Sequence, residues 1–390
     1  MHEWLNSGVI VHKGDPGLRM AFAECENLDP LFDGIAQLIG VPIERIVIDA
    51  ERKGTRDYFN PIIPQEVKDM VRRRELSLDP IIDAMTLTTR INGLGRFELK
   101  DVSLGEFIIL ISCDAYSVPL TLADIAGGCE AVMGDEYSKV TYKELSPHVY
   151  EMTTMPSGFP ADLEGRLERK EYHLREGDVE LERCSTCGGP IEYSNFNWDL
   201  EIGTIRNAAT GRRMAIIHPS VLDPIFEELE KELGETVPRV VVEAQRRFTR
   251  TGFHSVEEIS DEGPFRDQLA LRGMGSLREF RMDPRGLHLR LDNACMHLVV
   301  LGMVQGLFEL AFDKKSSVDW ELSEEGDLQA EVTPLFTQFL SESSPWASPG
   351  SLDCTTSTVS IKLLYPRLDR GYHHHQLSAR LQVAYSITFC

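Results

Sequence analysis

Two cysteines three positions apart form the clearest chemical motif in the sequence. Cys184 and Cys187 lie in Cys-Ser-Thr-Cys-Gly-Gly-Pro, where the glycines allow a tight turn around a tetrahedral ion. Thiolates at this spacing are typical ligands of zinc or of another thiophilic metal. A structural zinc ion needs four ligands, so His173, Cys295 or the same pair from a second copy of the chain would have to complete the site. A redox pair and a turn without metal are the alternatives.

Motifs of the common enzyme classes are missing from the chain. The sequence contains no glycine-rich dinucleotide or phosphate loop, no Gly-X-Ser-X-Gly motif and no His-Glu-X-X-His motif. Asp and Glu are abundant, but no pair of them stands out as a general acid and base. The sequence therefore favours a binding function over catalysis.

The charge balance and the apolar segments restrict the partners. The chain has 62 Asp and Glu against 40 Lys and Arg, a formal net charge of −22, which argues against binding nucleic acid or an anionic membrane surface. The most apolar segment, Met296 to Phe312, contains Glu309 and is short for a membrane span. Eight scattered cysteines and an N-terminus without a signal-peptide pattern predict a cytoplasmic protein.

A long segment of the sequence occurs twice. Residues 17–59 match residues 211–253 without a gap at an offset of 194, and 16 of the 43 positions are identical. At a background of about 6% identity per position, only about two or three matches are expected. The sequence therefore predicts a tandem duplication.

The repeated segment has a clear secondary-structure pattern. Arg-Met-Ala followed by apolar residues predicts a strand, and Leu-Asp-Pro predicts a helix with Asp29, or Asp223 in the second copy, as its N-cap. The next helix has an apolar stripe with arginines opposite it, for which we predict a solvated or salt-bridged face, with a protein interface or an anion contact as alternatives. These arginines are Arg45, Arg52 and Arg56, repeated as Arg239, Arg246 and Arg250.

Each copy continues with a strand, an apolar helix and a hairpin of alternating residues. These patterns predict the α+β class, with two tandem copies of a domain in which helices pack on an antiparallel sheet. The composition changes after residue 340, where a disordered tail is predicted and His373 to His375 are interpreted as an incidental cluster. The predicted regions are a first copy at 1–158, a charged linker with the two cysteines at 159–196, a second copy at 197–340 and the tail at 341–390.

Three stretches of the second copy resemble the 4-vinyl-reductase domain family: ELGETVPRVVVEAQRRF, RGLHLRLDNACMHLVVLGMVQGLFELAF and VDWELSEEGDLQAEVTP. This family is named from bacteriochlorophyll synthesis and also occurs in bacterial sensors of aromatic hydrocarbons. The resemblance implies a fold like that of haem nitric-oxide-binding domains and of small subunits of Golgi transport tethers. The final hairpin lacks the zinc-binding cysteines of such sensors, and His297 is interpreted as a packed residue rather than a haem ligand.

The resemblance implies a sensor-type protein that binds a small apolar or aromatic molecule, including hydrocarbons, in an apolar cavity. The alternatives are a reductase or accessory subunit acting on a tetrapyrrole-like substrate, and a scaffold whose two copies form a pseudo-symmetric dimer within one chain and bind other proteins. A homodimer and a protein partner are the macromolecular partners considered. The ligand-binding residues are predicted on the apolar helix and strands of the second copy: Leu289, Leu291, Met303, Leu307 and Phe308.

The zinc prediction is tested by native mass spectrometry of protein purified without added metal. We expect a mass excess of one zinc ion per bound site, lost in Cys184→Ser because one of the two thiolates is removed, and lost with a chelator because it competes for the metal. A bare polypeptide mass for the unmodified protein would exclude the metal.

Overall fold

The computed structural model describes residues 2–335, and all of them belong to one compact unit. Two halves, residues 2–158 and 196–335, are joined by a connecting segment at 159–195. The first half contains, in chain order, β1 His2–Leu5, β2 Val9–His12, β3 Asp15–Glu24, α1 Cys25–Ile39, α2 Glu44–Phe59, α3 Gln65–Arg72, α4 Asp79–Ile91, β4 Arg96–Ser103, β5 Phe107–Cys113, α5 Val118–Met133, β6 Ser138–Ser146 and β7 Val149–Pro156.

The second half has the same order of elements, except that it has no counterpart of α3. It contains β8 Phe196–Asp199, β9 Thr204–Asn207, β10 Arg213–Ile217, α6 Pro219–Leu233, α7 Val237–Phe248, α8 Glu262–Leu271, β11 Ser276–Asp283, β12 Gly286–Asp292, α9 His297–Phe312, β13 Ser316–Leu322 and β14 Leu328–Pro334. Each half forms a four-stranded antiparallel sheet of the same strand order, β4-β5-β7-β6 and β11-β12-β14-β13. The predicted α+β class is confirmed.

A third sheet combines strands of both halves. Its order is β1-β2-β3-β10-β9-β8, and β3 pairs antiparallel with β10 at its centre, with Phe22 opposite Ile216. Helices cross in the same way: α1 packs on α7, where Gly34 lies against Ala244, and α6 packs on α2, where Gly54 lies against Val221. The halves therefore exchange their first helices, and the largest apolar core includes residues of both.

Two buried arginines fix this exchange. Arg19 on β3 is 1% exposed, and its guanidinium donates to the carbonyls of Gly273 (2.9 Å), Asn293 (2.5 Å) and Ala294 (3.4 Å) in the second half. Because a buried cation needs acceptors, these carbonyls hold the strand of one half against the loops of the other.

The reciprocal contact is made by Arg213 on β10, which stands 194 positions after Arg19 in the repeated segment. Its guanidinium donates to the carbonyls of Ala115 (3.0 Å), Gly93 (3.2 Å) and Asp114 in the first half. Both arginines begin the repeated Arg-Met-Ala motif, so the same motif position makes the same cross-connection twice.

Two glycines also require the close approach of the halves. Gly8 and Gly203 have positive φ angles, and an added Cβ would lie 2.3 Å from the carbonyl oxygen of Gly275 or 2.4 Å from that of Gly95. The backbones are hydrogen-bonded there, from Gly275 to Gly8 at 3.1 Å and from Gly95 to Gly203 at 2.9 Å. A side chain at either position would push the hairpin away from the other half.

The predicted N-cap at Asp29 is wrong, because α1 begins four residues earlier, at Cys25. The Asp29 carboxylate instead accepts hydrogen bonds from Ser117 Oγ (2.5 Å) and the Val118 N–H (3.2 Å) at the start of α5. Asp223 likewise lies inside α6 and accepts from the Tyr172 hydroxyl at 2.7 Å. Both carboxylates therefore serve tertiary contacts, which the local pattern does not reveal.

The repeated arginines form ion pairs, as the predicted salt-bridged face requires. Arg52, however, is only 4% exposed and is not solvated. It pairs with Asp49 at 2.9 Å and with Glu130 of α5 at 3.6 Å. In the second half, Arg246 pairs with Glu309 of α9 at 2.5 Å. A buried carboxylate on the long helix of each half thus binds Arg52 or Arg246, whereas Arg45 and Arg239 on the same face remain exposed, at 66% and 65%.

The connecting segment packs against both halves with little regular structure. Its Val179 N–H donates to the Asn6 carbonyl at 2.8 Å, and its Arg175 N–H donates to Asn293 Oδ1 at 2.8 Å. No helix forms between residues 164 and 183. Nor is any helix within residues 2–335 both long and apolar enough to cross a bilayer. The predicted tail and His373 to His375 lie outside the described residues.

The substitution Arg19→Met should destabilise the fold by about 3 kcal/mol, because buried carbonyls at Gly273 and Asn293 lose their donor. Urea unfolding at neutral pH measures the change. The control is Arg73→Met at an exposed position, for which a change within about 0.5 kcal/mol is expected. Equal losses in the two variants would contradict the role of Arg19.

Candidate functional site

Each half contains a cavity at the same place in its fold. The first cavity lies between α2, α4, α5 and the β1–β2 hairpin, and the second lies between α8, α9 and the β8–β9 hairpin. Each also receives a residue from the other half, His218 after β10 in the first cavity and Glu24 of β3 in the second. These two residues correspond at the offset of 194. Both cavities therefore depend on the exchange of strands.

The first cavity has a volume of about 60 Å³ and mostly apolar walls. The walls include Ile82 and Met85 of α4, Phe97 of β4, Leu110 of β5 and Ile125 of α5. Its polar residues include a pair of carboxyl groups, a group of histidines with a tyrosine, and threonines with Asn92. This arrangement suits a small ligand that is fixed by a few polar contacts.

The carboxyl pair consists of Glu51 on α2 and Asp124 on α5. Asp124 accepts hydrogen bonds from Thr55 Oγ1 at 2.8 Å and from the Tyr116 hydroxyl at 3.1 Å. Burial raises the pKa of Asp124 to about 6, although these donors lower it. Burial, together with the neighbouring Asp124, raises the pKa of Glu51 well above its usual value. The pair therefore holds a proton more strongly than an isolated carboxyl group does, with Glu51 as the residue that carries it beside Asp124.

Three histidines and Tyr58 form the other polar set, in which His12 and His218 contact the Tyr58 ring. His2 Nε2 lies 2.8 Å from Asn92 Oδ1, and the Tyr58 hydroxyl lies 3.4 Å from His12 Nε2. The ring centroids of Tyr58 and His218 are 6.0 Å apart. Burial lowers the pKa of His2 and of His218 to about 4 and also lowers that of His12, so these imidazoles are neutral at pH 7.

The second cavity is larger, at about 370 Å³, and has a different chemistry. Its apolar floor consists of Phe265, Leu269, Met274, Met303 and Leu307. Ion pairs form the rim, between Arg272 and Glu24 at 2.5 Å and between Arg212 and Glu258 at 2.9 Å.

These rim pairs keep the charged groups of the second cavity ionised. Burial alone would raise the pKa of Glu258, but hydrogen bonds with His254 and Arg212 lower it to about 2. Burial opposes ionisation of Glu24 too, yet the positive charge of Arg272 keeps the pKa of this carboxyl below its ordinary value. The rim is thus a set of compensated charges above an apolar floor.

The two cavities differ at corresponding positions. Gln245 stands where the first half has Glu51, and Met303 is the seventh residue of α9, as Asp124 is the seventh of α5. Thr249 is retained opposite Thr55. The second half therefore has the same framework without the carboxyl pair.

The five predicted ligand-binding residues are all buried but do not share one surface. Met303 and Leu307 line the second cavity, whereas Leu289, Leu291 and Phe308 are fully enclosed in the apolar core. Binding of a ligand by any of them stays a prediction.

Glu51 and Asp124 were missed by the sequence reasoning. Glu51 continues the buried stripe of α2 four positions after Val47, and Asp124 lies in the mainly apolar helix α5, which also carries Glu130. A carboxyl group on the apolar face of a helix is therefore the sequence signal that could have identified these two residues.

The cysteine pair lies in a tight turn of the connecting segment, away from both sets of cavity walls. The Cys184 N–H donates to the Gly189 carbonyl at 2.8 Å, and the Gly188 N–H donates to the Cys184 carbonyl at 2.9 Å. Hydrogen bonds from the N–H groups of Cys187 and Thr186 lower the pKa of the Cys184 thiol.

These donors favour a thiolate, as a metal ligand requires. Within residues 2–335, however, no group of three or more His, Cys, Asp or Glu is arranged to hold a metal. His173 and Cys295 therefore do not join the pair in this structure, and zinc at Cys184 and Cys187 stays a prediction that needs ligands from elsewhere.

Comparison with known proteins finds no matching protein family and no matching curated protein. Among solved structures, a mutant H-NOX of T. Tengcongensis aligns over 31% of this chain and 77% of its own, with 15% identity and a TM-score of 0.22. A Cs H-NOX mutant covers 34% and 82%, with 14% identity and a TM-score of 0.23. An oxygen-binding H-NOX domain related to soluble guanylate cyclases covers 31% and 75%, with 14% identity and a TM-score of 0.20. At this similarity, function has to be inferred from the chain's own residues.

The neutral state of His218 predicts a pH dependence of stability. The unfolded chain binds a proton at this side chain below about pH 6.5, but the folded chain does so only near pH 4. Folded protein therefore loses stability as the pH falls through this window, and His218→Asn should remove up to about 3 kcal/mol of that loss. His2, His12 and Arg169, the other basic groups near His218, remain unchanged in the variant.

Urea unfolding at pH 7 and pH 4.5 measures the difference. The same substitution at exposed His148, a left-handed position that asparagine tolerates, is the control. If the two variants change the pH dependence equally, His218 is not held neutral by the fold.

Proposed function

We propose that the protein binds a small apolar or aromatic molecule in the second cavity and acts as a sensor-type binding protein. The observation that carries this proposal is the cavity itself, with about 370 Å³ above an apolar floor. Ligand sites for small organic molecules are typically clefts of about 300–1,000 Å³ with mainly apolar linings. Met303 and Leu307, predicted from the sequence as ligand contacts, are the floor residues supplied by the long helix α9.

The rim favours a neutral ligand over a strongly charged one. Arg272 and Arg212 are already paired with Glu24 and Glu258, so a charged ligand would have to replace an existing partner. Polar lining residues Asn207, Thr210 and Gln268 remain as hydrogen-bonding groups for a hydroxyl or carbonyl substituent. A phenol or a related aromatic alcohol combines both requirements.

A sensor also needs a way to report binding, and the cavity offers one. Glu24 belongs to the first half, where it ends the strand that pairs with β10. Its partner Arg272 belongs to the second half. A ligand at this rim contacts both halves, so its binding free energy can change how tightly they hold together.

The sequence similarity of the halves supports a further part of the proposal. We infer that they arose by tandem duplication of one α+β unit, similar to the 4-vinyl-reductase domain. The repeated order of elements and the matching sheet orders support this origin.

The proposal is tested by calorimetric titration with 1-naphthol, a neutral two-ring aromatic alcohol. We expect a dissociation constant of about 10–100 μM for a ligand of this size. Met303→Trp should weaken binding by about tenfold or more, because the indole would fill space at the floor of the cavity.

The matched control is Leu310→Trp, an exposed position on the same helix, where the affinity should stay within about twofold. Native mass spectrometry of the purified protein then shows whether an apolar molecule copurifies. Unchanged affinity in Met303→Trp would place the ligand elsewhere, and absence of both naphthol binding and a copurified molecule would overturn the proposal.

A further inference from the structure

The two carboxyl groups of the first cavity are held in different ways. Asp124 has protein donors in Thr55 and Tyr116. Glu51 is 5% exposed and lines the cavity, yet no N–H or O–H group of residues 2–335, apart from the proton it shares with Asp124, donates to it. A buried carboxyl group without donors is costly unless a partner is supplied from outside the protein.

No positive side chain balances this pair, since neither lysine nor arginine is among the residues that line the first cavity. The other titratable groups that face it come from every element around it: His2 and His12 of the hairpin, Tyr58 of α2, Cys129 of α5, Tyr116 before α5, and His218 after β10. Burial lowers the pKa of the histidines and raises the pKa of Cys129, Tyr58 and Tyr116, so these groups are neutral at pH 7. The carboxyl pair is then the source of charge.

The size and walls of the cavity restrict what can balance the charge. A volume of about 60 Å³ accommodates one ligand of a few non-hydrogen atoms. Rings of Tyr58, Phe59 and Phe97 also line it, and aromatic faces attract organic cations. A bulky aromatic molecule does not fit this space.

We propose that the first cavity is a binding site for a small protonated amine of the size of methylammonium, held by Glu51 and Asp124. The amine N–H groups donate to the Glu51 carboxylate, which the protein leaves without donors of its own. On binding, the proton held by Glu51 leaves to solvent. One cation enters and one proton leaves, so the net charge of the pair and its partner stays the same.

The second half shows why this site belongs to the first half alone. Gln245 and Met303 replace the two carboxyl groups there, while the framework of α7 and α9 is the same. Glutamine is therefore compatible with the fold at this position, which makes Glu51→Gln a suitable test variant.

The test is calorimetric titration of the full chain with methylammonium chloride at pH 6 and pH 8. Because binding releases a proton, affinity should be at least about tenfold higher at pH 8. Titrations in phosphate and Tris, which differ in ionisation heat, should give about one proton released per amine bound. Glu51→Gln should lose this proton release and at least about tenfold in affinity, whereas Glu44→Gln, exposed on the same helix, should bind like the unmodified protein.

Several results would overturn the proposal. These are the absence of methylammonium binding to the unmodified protein at pH 8, binding without proton release, unchanged binding in Glu51→Gln, and equal competition by tetramethylammonium or potassium. The proton count uses the unmodified protein, so it decides the question even if the variant fails to fold. Because the naphthol experiment concerns the second cavity, either proposal can fail without the other.

Discussion

The burial of two guanidinium groups is the constraint on which the architecture depends. Arg19 and Arg213 leave water on folding, and each finds its acceptors only on backbone carbonyls of the opposite half. Those carbonyls belong to the loops that precede β4 and β11 and that follow β5 and β12. The Phe22 N–H also donates to a backbone carbonyl of the loop before β11, at 2.9 Å, and the Ile216 N–H donates to one of the loop before β4, at 2.8 Å. The position of the hairpins, and with it the walls of both cavities, follows from satisfying these charges.

The cavities illustrate two ways in which a protein tolerates buried carboxyl groups. In the second cavity, arginines face Glu24 and Glu258 directly, and the carboxyl groups stay ionised. In the first cavity no such partner is present among the lining residues, and burial beside Asp124 raises the pKa of Glu51, which favours its protonated form. Charge compensation by a neighbouring cation and neutralisation by a proton both avoid the cost of an isolated buried charge, but only the second leaves a group that can exchange its proton for another cation.

The sequence allowed the α+β class to be predicted because strand alternation and helical periodicity are local signals. It did not reveal that β3 pairs with β10, since an alternating pattern does not specify which copy supplies the partner strand. For the same reason Asp29 was assigned to its own helix, while its carboxylate caps α5. Apolar periodicity predicted that Leu289 and Met303 are buried. It does not distinguish a close-packed residue from one that lines a cavity, because a cavity forms where elements distant in sequence leave space between them.

Connecting both halves in a single polypeptide has a consequence for specificity. In a symmetric dimer of identical chains, any substitution in one pocket appears in the other, so the two pockets cannot specialise separately. Here position 51 and position 245 mutate independently, and one holds glutamate while the other holds glutamine. Because His218 and Glu24 are contributed across the interface, each pocket keeps a boundary residue encoded in the other half. Residues 2–335 thus repeat one order of elements as the two chains of a dimer would, but their two cavities are free of the identity that symmetry would impose.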